Sequence, residues 1–166
     1  MTRIEQNHTP EASNESIGLI ALQLIGVWNL VGYADEQEGK EDTHPFGSEP
    51  KGFLIYTPDG FVSVQLMKPG RTVFHSSDWH HGTPAEYEAS GSGYIAYCGT
   101  YEIDEKKATV THIPSVALLP NLIGGRQLRT VDLHGDRLIL RAVGASVANG
   151  LPVISRLEWQ RVQAGV

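Results

Sequence analysis

The chain has 166 residues, of which 40% are hydrophobic and 19% charged, with 18 Gly and 9 Pro. That length suits a single domain with a sizeable core, and that much Gly and Pro suits a fold with many turns. The formal net charge is −6 and the 13 basic residues are scattered rather than striped, which argues against nucleic acid or an anionic membrane as partner.

From the N-terminus, residues 1–16 are polar and carry Glu5, Glu11 and Glu15 where a secretory signal needs positive charge. With so little apolar surface to bury, they are expected to be disordered, ahead of a barrel domain over 17–166. Residues 17–25 (IGLIALQLI) are apolar but too few to cross a bilayer; Ser16 as N-cap predicts a short helix from 17 to about 24. The lone Cys98 excludes a disulfide within the chain, and a cytoplasmic setting is expected.

Strand-like segments then follow at 27–34, 51–57, 60–67, 93–103, 107–113, 126–133, 136–142 and 153–161. Several joins have explicit turn chemistry. Thr57-Pro58-Asp59-Gly60 presets φ with Pro, lets Asp bond its own backbone and supplies Gly for positive φ; Asp104-Glu105-Lys106 and His134-Gly135-Asp136 read as tight hairpin links. Short links make sequence neighbours antiparallel partners. Two connections are longer, 35–50 and 68–92, and the second contains Thr83-Pro84-Ala85-Glu86, a helix start with its cap, Pro at the first position and Glu at the third. This His- and Trp-rich loop is expected to gate an open end.

Gly26-Val27-Trp28 at the first strand and Arg161 in the last imply closure: the indole plugs one end and the guanidinium lies on its face. The expected fold is all-β, an eight-stranded antiparallel up-and-down barrel with a short N-terminal helix and a helical loop near 84–90. A barrel of this size holds one small apolar ligand.

A family resemblance rests on His44-Pro45-Phe46-Gly47, the run from Gly52 to Gly60, Val62-Ser63-Val64-Gln65-Leu66-Met67, Gly93-Tyr94-Ile95-Ala96-Tyr97, Gly99-Thr100-Tyr101, Val110-Thr111-His112 and Leu157-Glu158-Trp159. Taken together and in order, these resemble the lipocalin-like domain proteins of bacteria and fungi, small intracellular calycin-like barrels. The resemblance implies the fold; it carries over no catalytic residue, and some such proteins occur beside natural-product pathways.

Candidate site residues follow from chemistry and alternation. Tyr97 and Tyr101 share one strand face and Tyr94 the other, and a tyrosine inside a barrel gives an apolar wall with one hydroxyl. In 61–67, either the aliphatic face (Val62, Val64, Leu66) or the mixed face (Phe61, Ser63, Gln65, Met67) could point inward; the mixed face is preferred, which makes Gln65 a ligand contact. Phe53, Tyr56 and Trp79 are further aromatic contacts. His112, Arg129 and Arg141 default to the outer face, but His112 and Arg129 are carried as ligand contacts because a buried cation must meet a partner. His75 in the polar loop and Tyr97 are the acid–base candidates if the cavity is catalytic. No phosphate loop, nucleophile elbow or zinc spacing is visible, so neither metal nor cofactor is expected. The leading function is binding of a small hydrophobic molecule; the alternative is a cofactor-independent cyclase, isomerase or dehydratase acting on a polyketide- or terpenoid-like natural product. A homodimer is the expected assembly.

Overall fold

The computed structural model describes residues 19–163 apart from Trp79 and Asn149. The expected disorder of 1–16 and the Ser16 cap lie outside the described residues. After α1 (Leu19–Leu24) come β1 (Gly26–Glu36), β2 (Lys51–Tyr56), β3 (Phe61–Met67), α2 (Pro84–Ser92), β4 (Tyr94–Asp104), β5 (Thr109–Ala117), a 3-10 turn (Pro120–Leu122), β6 (Gln127–His134), β7 (Arg137–Ala142), β8 (Ser146–Ala148) and β9 (Leu151–Arg161). No helix among them is long and apolar enough to cross a membrane.

The strands pair antiparallel in the order β1-β2-β3-β4-β5-β6-β7-β9, and β9 returns to β1. That closes an eight-stranded barrel and leaves no free sheet edge round the ring. β8 is a ninth, three-residue strand that the sequence reading did not include; it pairs with the start of β9 as a side hairpin.

Closure is built as the Trp28–Arg161 pair implies. Trp28 pairs with Arg161 in register, is fully buried, and has the Arg161 guanidinium 4.0 Å from its ring centroid. Its Nε1–H donates to the Leu24 carbonyl at 2.8 Å, and Arg161 donates to the carbonyls of Ile25 (2.9 Å) and Gln23. These carbonyls end α1, so the seal also satisfies acceptors that a helix C-terminus leaves open. Gly26 sits at φ 129 with the Arg161 Nη1 3.0 Å from where a Cβ would stand, which reserves the position for glycine. The other end of α1 is held by Glu105 from the β4–β5 turn, which accepts from the amides of Ile20 and Ala21.

Two irregularities decide which side chains face inward. Pairing of β1 with β9 shifts register between Leu30 and Gly32. Before this bulge Trp28 and Leu30 are the buried members of β1; after it Tyr33 and Asp35 line the interior cavity. A second shift lies between Cys98 and Gly99, opposite Ser115 in β5. There the strands run so close that a Cβ on Gly99 would run into the Ile113 carbonyl oxygen.

In β3 the buried residues are Val62, Val64 and Leu66, so the aliphatic face points inward, which corrects the preference for the mixed face. The reason is core volume: these three pack with Leu54, Tyr56 and Tyr97 in one apolar cluster, where an unpaired amide would be costly.

Candidate functional site

The barrel holds a partly open cavity of about 330 Å³. Much of its wall is aliphatic and aromatic, from Leu54, Val64 and Leu66 on one side to Leu140, Leu157 and Trp159 on the other. Leu119 and Leu122, from the β5–β6 connection, and Val147 of β8 complete the lining. Among the described residues, none of the loop over 68–92 lines it, contrary to the expected gate. That loop folds on itself instead. Thr83 and Glu86 form the reciprocal capping box of α2, Glu86 also accepts from the His75 amide at 2.7 Å, and Phe74 packs edge-on against Tyr87.

A polar chain stands in the wall formed by β2, β4 and β5. Tyr56 Oη lies 2.6 Å from His112 Nε2, and Tyr97 Oη lies 2.8 Å from His112 Nδ1. Strand alternation buries His112 along with Val110 and Pro114. Burial first, and the nearby Arg129 guanidinium second, push the His112 pKa down to about 3, so the imidazole is neutral at ordinary pH. Burial raises the Tyr56 and Tyr97 hydroxyls above their usual range, and Arg129 partly opposes this at both.

Arg129 is brought inward by the alternation of β6, which also turns Val131 and Leu133 to the core. Among the described residues its buried Nη1 has no hydrogen-bond partner, and neither has Nε1 of Trp159 in the same lining. Buried donors are nearly always paired, so two orphans in one cavity stand out. On β1, Asp35 is buried at 2% exposure and accepts from the Ser155 hydroxyl at 2.8 Å. Burial, then the neighbouring Asp35, raises the Tyr33 hydroxyl. No ion pair joins Asp35 to Arg129, although both line the cavity.

Of the sequence candidates, Tyr56, Tyr97, His112 and Arg129 come together, and the last two lie inside rather than on the outer face they default to. Arg141 does lie outside, bonded to Glu36 at 2.6 Å. Tyr101 points inward but beside the cavity: it packs on Tyr56 and donates to the Thr57 carbonyl at 2.9 Å. Gln65 and Tyr94 face outward and bond each other at 3.0 Å, with Phe53 half exposed beside them in register. His75 is exposed and is not among the residues that line the cavity, while Trp79 falls outside the described residues. Tyr33, Asp35, Ser155 and Trp159 were not among the candidates. The one available signal for the first two was Gly32, a glycine inside a strand, which marks a bulge and a change of face.

Among the described residues no group of three or more His, Cys, Asp or Glu side chains converges as metal ligands. The closest approach to a metal-like pair, His81 Nδ1 to Asp78 Oδ2 at 2.6 Å, is solvent-exposed in the 68–92 loop.

The sequence profile of the lipocalin-like domain matches residues 25–162, which spans all of the barrel strands. The chain belongs to the lipocalin-like domain family. Among curated relatives of this lipocalin-like protein, the 4'-hydroxy-3'-methoxypropiophenone carrier protein ppsC of Aspergillus oryzae (strain ATCC 42149 / RIB 40) is 30% identical over 107 residues, covering 61% of this chain and 96% of that protein. No solved structure matches the chain.

Proposed function

We propose that this lipocalin-like protein is a carrier that holds one small, mostly apolar molecule in its barrel. The observation that carries the reading is the barrel cavity of about 330 Å³ whose wall is aliphatic and aromatic apart from a few convergent polar groups. That volume suits a molecule of roughly ten to fifteen non-hydrogen atoms, since about 150 Å³ is enough for benzene. Similarity to a protein named as the carrier of an aryl ketone supports the same reading. The homodimer and the cytoplasmic setting belong to the proposal as well; Phe53, half exposed on the outer face of β2, is where a second copy would bury apolar surface, and a monomer in sedimentation velocity would remove that part.

The test is to incubate the purified protein with extract of its source organism and follow both retained and altered compounds by mass spectrometry. One compound held unchanged at stoichiometric amount is the expected outcome. A compound consumed with turnover, giving an isomer or a dehydrated product, would replace the carrier with the cofactor-independent cyclase, isomerase or dehydratase.

A further inference from the structure

We propose that the cavity selects a neutral molecule by a carbonyl oxygen, which accepts the hydroxyl proton of Tyr97 at the wall formed by β4, β5 and β6. This rests on the carrier reading and names the ligand class within it.

The direction of the Tyr56–His112–Tyr97 chain follows from counting protons. Tyr56 is 1% exposed, and among the described residues its hydroxyl bonds only His112 Nε2. A neutral imidazole has one bare nitrogen and one N–H. If Tyr97 donated to Nδ1, the N–H would sit on Nε2 and donate to Tyr56, whose own proton would then be buried with no acceptor. The reverse assignment strands nothing: Tyr56 donates to Nε2, Nδ1–H donates to the Tyr97 oxygen, and the Tyr97 proton is left over. Tyr97 lines the cavity, so that proton is directed to whatever the cavity holds.

Two further donors share the lining, the unpartnered Nη1 of Arg129 and the unpartnered Nε1 of Trp159. A hydrocarbon would leave all three unmatched, whereas an oxygen acceptor relieves the mismatch. The charge balance selects among acceptors. Asp35 sits on β1, four strands from β5 in either direction round the ring, and so across the barrel from Tyr97 and Arg129, while Trp159 stands on β9 beside it. The lining thus holds one acidic and one basic side chain, and a ligand carboxylate would make two acidic groups to one cation in a largely apolar space, which a neutral oxygen acceptor does not.

Acetophenone, ethylbenzene and benzoate share a skeleton and separate these cases. In titrations of the full chain followed by ligand-observed NMR, acetophenone is expected to bind at least about tenfold more tightly than either of the others, the scale of one good buried hydrogen bond. Tyr97→Phe should bring acetophenone to within about threefold of ethylbenzene. Infrared spectroscopy of carbonyl-labelled acetophenone on the unmodified protein reads the same bond without any variant: its carbonyl stretch should move to lower frequency on binding. Equal affinity for ketone and hydrocarbon, an unshifted stretch, or benzoate as the tightest ligand would overturn the proposal and leave the carrier reading standing. Failure of all three to bind would likewise overturn the carbonyl proposal, while the carrier reading falls only if the extract yields no retained compound.

Discussion

Trp28 and Trp159 are the same residue type at the same depth, 0% and 1% exposed, on adjacent strands of one barrel. At the sealed end the Trp28 N–H has a carbonyl and the ring has a guanidinium, and Arg161 spends its donors on backbone oxygens. At the cavity the Trp159 N–H has nothing, and neither has one nitrogen of Arg129. Burial is alike and satisfaction is not. The difference separates two uses of polar groups in a core: closed pairs hold the chain together, while open ones sacrifice some stability and leave specific valences for a ligand.

The comparison breaks first at the seal. Trp28→Ala should lower unfolding free energy by about 3–5 kcal/mol, the range for removing a large buried aromatic, as read by urea denaturation. A loss below about 1 kcal/mol would mean the indole is not what closes the barrel. The next largest effect is a pH dependence set by His112. Its folded pKa of about 3 lies below the ordinary value of 6.5, so above 6.5 its contribution is complete. As pH falls from there towards 3, the unfolded chain takes up a proton that the folded chain refuses, and stability drops by up to about 1.4 kcal/mol per unit. By pH 4.5 the loss should reach about 2–3 kcal/mol, and denaturation at pH 7.5 and 4.5 should show it shrinking by that amount in His112→Gln. A variant that keeps the full slope would assign it to other groups.

Much of this architecture was readable from residues alone, because local chemistry specified it. Pro58-Asp59-Gly60, the Thr83–Glu86 capping box and the Trp28–Arg161 closure each depend on a few neighbouring side chains or on one pair at the chain ends. The site was half readable. Tyr56, Tyr97, His112 and Arg129 carry chemistry that stands out in a strand, but which face they take is a matter of parity, and parity is lost at each bulge. Counting alternately from Trp28 turns Tyr33 and Asp35 outward; the shift at Gly32 turns them in. Gln65 failed for another reason. Both faces of β3 have enough apolar residues to be inner, and only the packing of Val64 and Leu66 against other strands decides between them. The His-rich loop misled because its polar density serves its own hydrogen bonds.

The two arginines give the smaller effects and the sharpest contrast. Arg161→Met removes the donors to Ile25 and Gln23 and the cation from the Trp28 face, so it should destabilise the protein by about 1–2 kcal/mol.

Arg129→Met is the same substitution at a guanidinium with a buried, unpartnered nitrogen. Methionine keeps the length of the stem and deletes the orphaned donor, so the empty protein should change by less than about 1 kcal/mol, and in the direction of greater stability. His112 gives an independent check on the geometry, because the Arg129 charge helps hold its pKa down. With the charge gone, the imidazole should titrate higher, which NMR of its ring protons would follow. An Arg129→Met protein as damaged as Arg161→Met, with His112 titrating unchanged, would mean that the cavity cation is structural. The difference between the two ends of the barrel would then lie only in their shapes.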